Sequence, residues 1–432
     1  MTNTSSASIS AGETQASLGD PRPTRTPEFE KRMARRYRAE RNFRWLGMGA
    51  IAFSIGALIF LLSSMIANGI PGLQRAELTV TIDFPNSGLT GDEVSLTAPS
   101  ATQTLELQGL PDIVESFAVE SLGEEGGSQV YESAWRGVAQ ALADDPSLIE
   151  RVETMQLPAS SDLAAGLNGE GSAEMQALAR KLGSEGKLAK NWDWGFFSRA
   201  DATSPQMAGI WGALKGSVLT MIITFFLAFP IGILAALYLE EYAPKNGWTD
   251  LIEVSINNLA AVPSIIFGLL GLSVFLAISP SLRSTPVIGG MTLALMTMPV
   301  IVIAGRNAIK AVPPSIRDGA LAVGASPVQV VFHHVLPLAM PGMLTGTIIG
   351  MARALGETAP LILIGMRVFV ATPPEDFTSA ATVLPMQIFL WSDSPERAFV
   401  ERTSAAIMVL LAFLISMNTL AIWLRKRLER RW

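Results

Sequence analysis

The chain has 432 residues, of which 49% are hydrophobic and 16% charged, with a formal net charge of -6 and no cysteine. A soluble domain carries about 25% charged residues, so the composition points away from a soluble globular protein. The lack of cysteine excludes disulfides and thiolate metal sites, and no residue pattern calls for a metal ion or a nucleic acid.

Residues 1–30 are rich in Ser, Thr, Pro and Gly and read as a disordered tail, the first part of a basic arm over 1–42. Lys31, Arg32, Arg35, Arg36, Arg38, Arg41 and Arg44 then lead into the first apolar run. Uncharged runs follow at 45–67, 216–239, 254–282, 284–305 and 403–424, and a run at 335–366 is broken only by Arg353 and Glu357. A helix of about 20 apolar residues crosses the roughly 30 Å hydrocarbon core. Lipid offers the backbone no hydrogen-bond partner, so each run is expected to be a helix. Arg425, Lys426, Arg427, Arg430 and Arg431 close the chain in a basic tail over 425–432. Positive flanks favour the cytoplasmic side. Both termini are therefore expected inside, which an even number of spans such as six allows. The first span, 43–67, has a longer apolar core than a cleaved signal and reads as a retained anchor.

Residues 68–208 then fall outside the cytoplasm. They hold 8 Lys and Arg against 21 Asp and Glu. Alternation at 78–84 and 102–107 suggests strands, 131–143 and 173–188 suggest helices, and Gly and Ser at 121–128 and 165–172 suggest mobile loops. This stretch is an α+β insertion with packing or partner-contact roles, or a ligand-sensing domain. The outer loop at 367–402 carries Arg367, Arg397 and Arg402 beside acidic residues, so its charge does not fix its side. The fold class expected is an all-α membrane protein of six transmembrane helices with an extracytoplasmic α+β insertion. Its core covers 209–424 and includes a cytoplasmic loop at 307–337.

That loop predicts a short helix, a sharp turn and a returning helix. Gly324 is placed to close a helix in the left-handed conformation. Ser326-Pro327 reads as an N-cap followed by a first-turn proline. A projecting helix suits a partner that pushes it. The chain carries no phosphate-cradling loop ending in Gly-Lys-Ser/Thr; Gly186-Lys187 is followed by Leu188. The spacing of Asp318, Ala320, Gly324, Leu336 and Pro337 resembles the loop that ATP-binding-cassette (ABC) import permeases offer to their ATPase. That family usually has Glu-Ala-Ala where this chain has Asp318-Gly319-Ala320, and Ile where it has His334. Asp318 keeps the carboxylate, and Gly319 weakens the helix start.

Arg353 and Glu357 are four residues apart on one helix face. Ionisable groups at membrane depth usually face a bundle interior or a wet cavity. The pair is either a structural ion pair, or a site where Arg353 contacts a passing anion and Glu357 orients or releases it. The planar fork of Arg suits a phosphate-like oxyanion. Asn257, Asn258, Pro263 and Ser264 either line a cavity or hydrogen-bond between helices.

The segment Met351-Ala352-Arg353-Ala354-Leu355-Gly356-Glu357-Thr358-Ala359-Pro360 resembles phosphate-uptake permeases of the ABC import family, as do 239–246 and 257–264. The resemblance covers about 205–430. It implies a type I importer permease core in a bacterial inner membrane. It also implies a second permease subunit, a dimeric cytoplasmic ATPase, a periplasmic phosphate-binding protein and surrounding lipid as partners. No cofactor is implied in this chain, since ATP-Mg belongs to the ATPase. Sulfate and molybdate permeases usually continue Arg-x-Leu-Gly-Glu with Phe-Gly-Ala, whereas Thr358-Ala359-Pro360 favours phosphate. Another oxyanion is the first alternative. A membrane sensor headed by 68–208 is the second, and it lacks an output domain. An intramembrane hydrolase is the third, weakened because His333 and His334 have no paired nucleophile.

Overall fold

The computed structural model describes residues 27–90, 96, 101–366, 369–396 and 398–428. The tail before residue 27, Arg367, Arg397, Arg430 and Arg431 lie outside the described residues. Helix α1 runs over Pro27–Gly72. The basic arm over 1–42 is therefore helical from Pro27, four residues inside the tail expected to be disordered up to 30, in keeping with its Arg, Glu, Ala and Met content. Among the described residues, 27–63 form a unit of their own; within it Phe43, Trp45, Phe53, Leu58 and Phe60 are exposed.

The second unit, 64–432, begins with a sheet domain. Strand β1 (Gln74–Asp83) lies between β2 (Val152–Pro158) and β3 (Leu188–Trp192), antiparallel to both. Its alternation turns Leu78, Val80 and Ile82 into the core. Helix Leu110–Leu122 answers with Leu110, Val114, Ala118 and Leu122 at helical spacing, and Ala134–Asp144 with Val138 and Leu142. The strand expected at 102–107 is instead helix Ala101–Leu107. Ala101 and Leu105, four apart, are buried and Leu107 is 90% exposed, so packing at helical spacing overrides the Thr-rich alternation. The loop expected at 121–128 contains helix Glu124–Gly127, whose Gly126 and Gly127 are buried. The helix expected at 173–188 stops at Ser184 and gives way to β3. At 165–172 helix Ser161–Leu167 ends, and Gly169 and Gly171 follow with positive φ.

The membrane part follows. Helix α2 (Trp211–Leu237) ends in a π turn, Tyr238–Tyr242. Helices α3 (Gly247–Ala260) and α4 (Ser264–Leu270, continued helically to Ile278) meet at 103°. Then come α5 (Pro286–Lys310), α6 (Pro314–Ala322), α7 (Leu336–Gly356), α8 (Ala359–Leu363), α9 (Leu384–Ser392) and α10 (Ala398–Leu428). Among the described residues five helices are long and apolar enough to cross a membrane, and six spans result if the bent pair counts as one.

Two of the expected straight spans are broken. The run at 254–282 bends at 261–263, where Pro263 takes an extended ψ of 137° and biases Val262 away from the helical region. The run at 335–366 stops at Gly356, because Glu357 has an extended ψ of 119°. Helix α5 is the centre of the bundle and is far more deeply buried than α2 or α10. Small residues let its neighbours close in, as lipid-embedded helices require. A Cβ on Gly346 of α7 would lie 2.1 Å from the Cβ of Ala304 of α5.

Candidate transport path and coupling loop

The loop between α5 and α7 has the helix, turn and returning helix that its residues call for. Gly324 stands at φ +91° and ends the turn after α6. Ser326 caps the next helix in a reciprocal capping box with Gln329, and Pro327 follows it. A six-residue π turn, Val330–Val335, then feeds Leu336 and Pro337 into α7. Ala320 is the buried residue of α6, whereas Asp318, Gly319 and Gly324 are exposed. Around them Leu321, Val323, Val328 and Phe332 leave apolar surface uncovered, Val323 at 86%. His333 and His334 are exposed on the π turn.

Arg353 lies in the last turn of α7, and its Nε is 3.5 Å from Oε1 of Glu357. Both belong to the same segment, so this ion pair does not pin two helices. The Arg353 side chain is 49% exposed and Glu357 21%. The chain then turns through Thr358 into α8. The bent pair breaks nearby: a Cβ on Gly268 of α4 would lie 2.6 Å from Cα of Pro360. Val262, from the bend, packs in the same cluster as Met351, Ala354, Leu355 and Leu361. Two interrupted spans thus pack on one another at Gly268 and Pro360, the latter seven residues past Arg353. Irregular backbone at membrane depth is tolerated where protein or a wet cavity surrounds it.

Asn257 and Asn258 are exposed on α3, one turn past Glu253, which pairs with Arg306 of α5. Gly350, one turn before Arg353, packs on Thr297 of α5. Arg306 and Thr297 are nine residues apart, about 13 Å along a helix. The two asparagines and Arg353 therefore sit at different depths and do not form one cluster.

Two charged groupings escaped sequence reasoning. At the loop end, Arg306 joins Glu240 of the π turn to Glu253 of α3, Lys310 lies 3.4 Å from Glu240, and Arg317 of α6 joins Glu241. Their only sequence signal was Glu240-Glu241 next to a span end. At the other end, Arg402 of α10 is 4% exposed. It donates to the carbonyls of Pro205 and Gly72 at 3.0 Å each, donates to Asp193 Oδ2 at 2.7 Å, and lies over the Phe196 ring. Arg199 donates to both Asp193 oxygens at 2.8 and 2.7 Å. Burial pushes the Asp193 carboxyl up, but Arg402, Arg199 and Arg75 outweigh it and hold it below the usual 3.8. The sheet domain is thereby fastened to the start of the last span and the end of α1.

Residues 228–432 match the family of binding-protein-dependent transport system inner membrane components, and residues 30–177 match a domain of unknown function, DUF3333. Phosphate transport system permease protein PstA 1 of Mycobacterium tuberculosis (strain CDC 1551 / Oshkosh) is 29% identical over 252 residues, covering 56% of this chain and 82% of the relative. PstA of Yersinia pestis is 29% identical over 214 residues, covering 49% and 71%. The probable ABC transporter permease protein YqgI of Bacillus subtilis (strain 168) is 32% identical over 184 residues, covering 42% and 61%. A solved inward-facing form of the MetNI methionine ABC transporter aligns with 53% of this chain and 100% of its own, at 20% identity and a TM-score of 0.43. Residues 228–432, a little under half of the chain, are thus similar to the inner-membrane components of binding-protein-dependent transport systems, and the relatives matched there are transport permeases by name.

Proposed function

We propose that the chain is a permease subunit of an ATP-driven phosphate importer. The observation that carries this reading is the half-exposed Arg353 guanidinium, held in the last turn of α7 just before the break whose Pro360 packs on the bent pair. A planar, permanently charged donor in that position suits an oxyanion. The similarity to relatives named PstA supports phosphate over sulfate or molybdate. Glu357, 3.5 Å away, returns Arg353 to a paired state when the anion leaves.

Inward movement of an anion against an inside-negative potential costs about 2.3 kcal/mol per charge per 100 mV. A thousandfold gradient adds about 4.1 kcal/mol. A dimeric cytoplasmic ATPase supplies that work by gripping α6 around Asp318, Gly319 and Ala320, with Gly324 setting the angle of the grip and Leu336-Pro337 the return into α7. A second permease chain completes the path, and a periplasmic phosphate-binding protein delivers the ion at the sheet-domain end. Both termini then lie in the cytoplasm of a bacterial cell, and the sheet domain outside it. Asn257 and Asn258 line the path deeper, toward the loop end.

The test is uptake of labelled phosphate by the complete complex in liposomes. Arg353→Gln is expected to abolish uptake while the complex still assembles. Unchanged uptake removes Arg353 from the path. Competition by sulfate or molybdate stronger than by phosphate moves the substrate to that oxyanion.

A further inference from the structure

Arg317 and Asp318 are neighbours on α6 but play opposite parts. Asp318 is exposed, whereas the Arg317 guanidinium turns into the protein and makes four hydrogen bonds. Its Nε and Nη2 donate to Oε1 of Glu241 at 3.2 and 2.8 Å. Nη1 donates to the carbonyl of Val312 at 2.8 Å, and Nη2 to that of Ile309 at 3.1 Å. Carbonyls at a helix C-terminus want donors and favour a cation there. One side chain therefore caps α5, reaches the π turn that ends α2, and belongs to α6 itself. Glu241 is only 12% exposed, so this contact is shielded from solvent.

The chain of charges continues beyond Glu241. Its neighbour Glu240 pairs with Arg306, and Arg306 Nη2 is 2.6 Å from Glu253 of α3. From α6 to the bent pair, each step is a hydrogen-bonded ion pair or a peptide bond. The link between Glu240 and Glu241 lies in a π turn, a geometry often found at functional sites.

We infer that Arg317 is the positioning residue that transmits displacement of α6 to α2 and the bent pair. This rests on the reading of α6 as the element the ATPase grips. A push on α6 reaches the spans through a planar fork fixed at both ends. Without the fork the push is taken up by the turn at Gly324 and the spans lag behind.

The experiment measures ATP hydrolysed per phosphate imported by the complete complex in liposomes, with assembly followed by size-exclusion chromatography. Arg317→Ala is expected to assemble and hydrolyse ATP but to raise that ratio about tenfold, within the range by which single residues modulate coupling. Glu241→Gln leaves the α5 cap in place and is expected to raise the ratio in the same direction; it also serves if Arg317→Ala does not assemble. Arg317→Lys, which keeps the charge without the fork, should fall between. A wild-type ratio in Glu241→Gln overturns the inference and leaves Arg317 as a helix cap. So does a loss of ATP hydrolysis and uptake in equal proportion in both variants. If the wild-type complex carries a different oxyanion, the functional reading falls, and the ratio is scored with that ion.

Discussion

Replacing Asp193 tests how the sheet domain is held. The Asp193 side chain is 2% exposed and that of Arg402 5%, so neither charge is screened by water; Arg199, at 28%, is partly so. Asp193→Ala removes three hydrogen bonds to guanidinium groups and leaves Arg402 buried against Arg199 with no anion between them. Breaking a buried pair from one side costs about 3–5 kcal/mol. Asp193→Asn keeps an acceptor and loses the charge, so about 2 kcal/mol is expected, in the range of a charged hydrogen bond. The assay is reversible unfolding of detergent-solubilised protein, read by tryptophan fluorescence, with proteolysis reporting release of the sheet domain. The pH profile adds a sign. Because the folded carboxyl titrates below the usual 3.8, its contribution is complete above that value and is lost as pH falls through the lower folded one. Wild type should therefore lose an increment of stability in acid that Asp193→Asn has already lost. A change below about 0.5 kcal/mol in Asp193→Ala, the level of an ordinary surface substitution, would refute the account of a buried fastening.

Asp201 should show the opposite slope. Burial raises its carboxyl above 3.8, against hydrogen bonds from Trp391 Nε1 at 3.0 Å and the Ala202 amide. Stability should therefore decline as pH rises from the unfolded value through the folded one. Melting temperatures across that window should decline less in Asp201→Asn; identical profiles would count against it. Gly324→Val forces a β-branched residue into φ +91°, a strain of about 1–3 kcal/mol. It is expected to weaken ATPase binding and uptake together, and normal values for both would dismiss the loop assignment.

All the spans but the fifth were legible because their runs exclude charge, and lipid leaves a helix as the only answer. The turn at Gly324 and the cap at Ser326 were legible because their chemistry is local. The breaks at 261–263 and 357–358 were not, although Pro263 and Pro360 flank them. Neither proline says whether a neighbour will fill the gap, and only the packing of Gly268 on Pro360 shows that one does. The helix at 101–107 was misread because the burial of Leu105 depends on packing against the helices that follow, Leu110–Leu122 and Ala134–Asp144, which its own alternation does not announce. The Arg402 fastening joins residues 209 apart in sequence, and nothing local to either announces the other.

That separation has a consequence for how the protein is made. Synthesis runs from the N-terminus, and domains generally fold as they emerge. The carbonyl of Gly72, the carbonyl of Pro205 and the carboxylate of Asp193 are all finished long before Arg402 leaves the ribosome. Until the final helix arrives, Asp193 has Arg199 alone, and the two carbonyls lack the guanidinium that joins all three acceptors in the finished protein. A product truncated before that helix keeps the Arg199–Asp193 pair but loses the one side chain that ties it to Gly72 and Pro205.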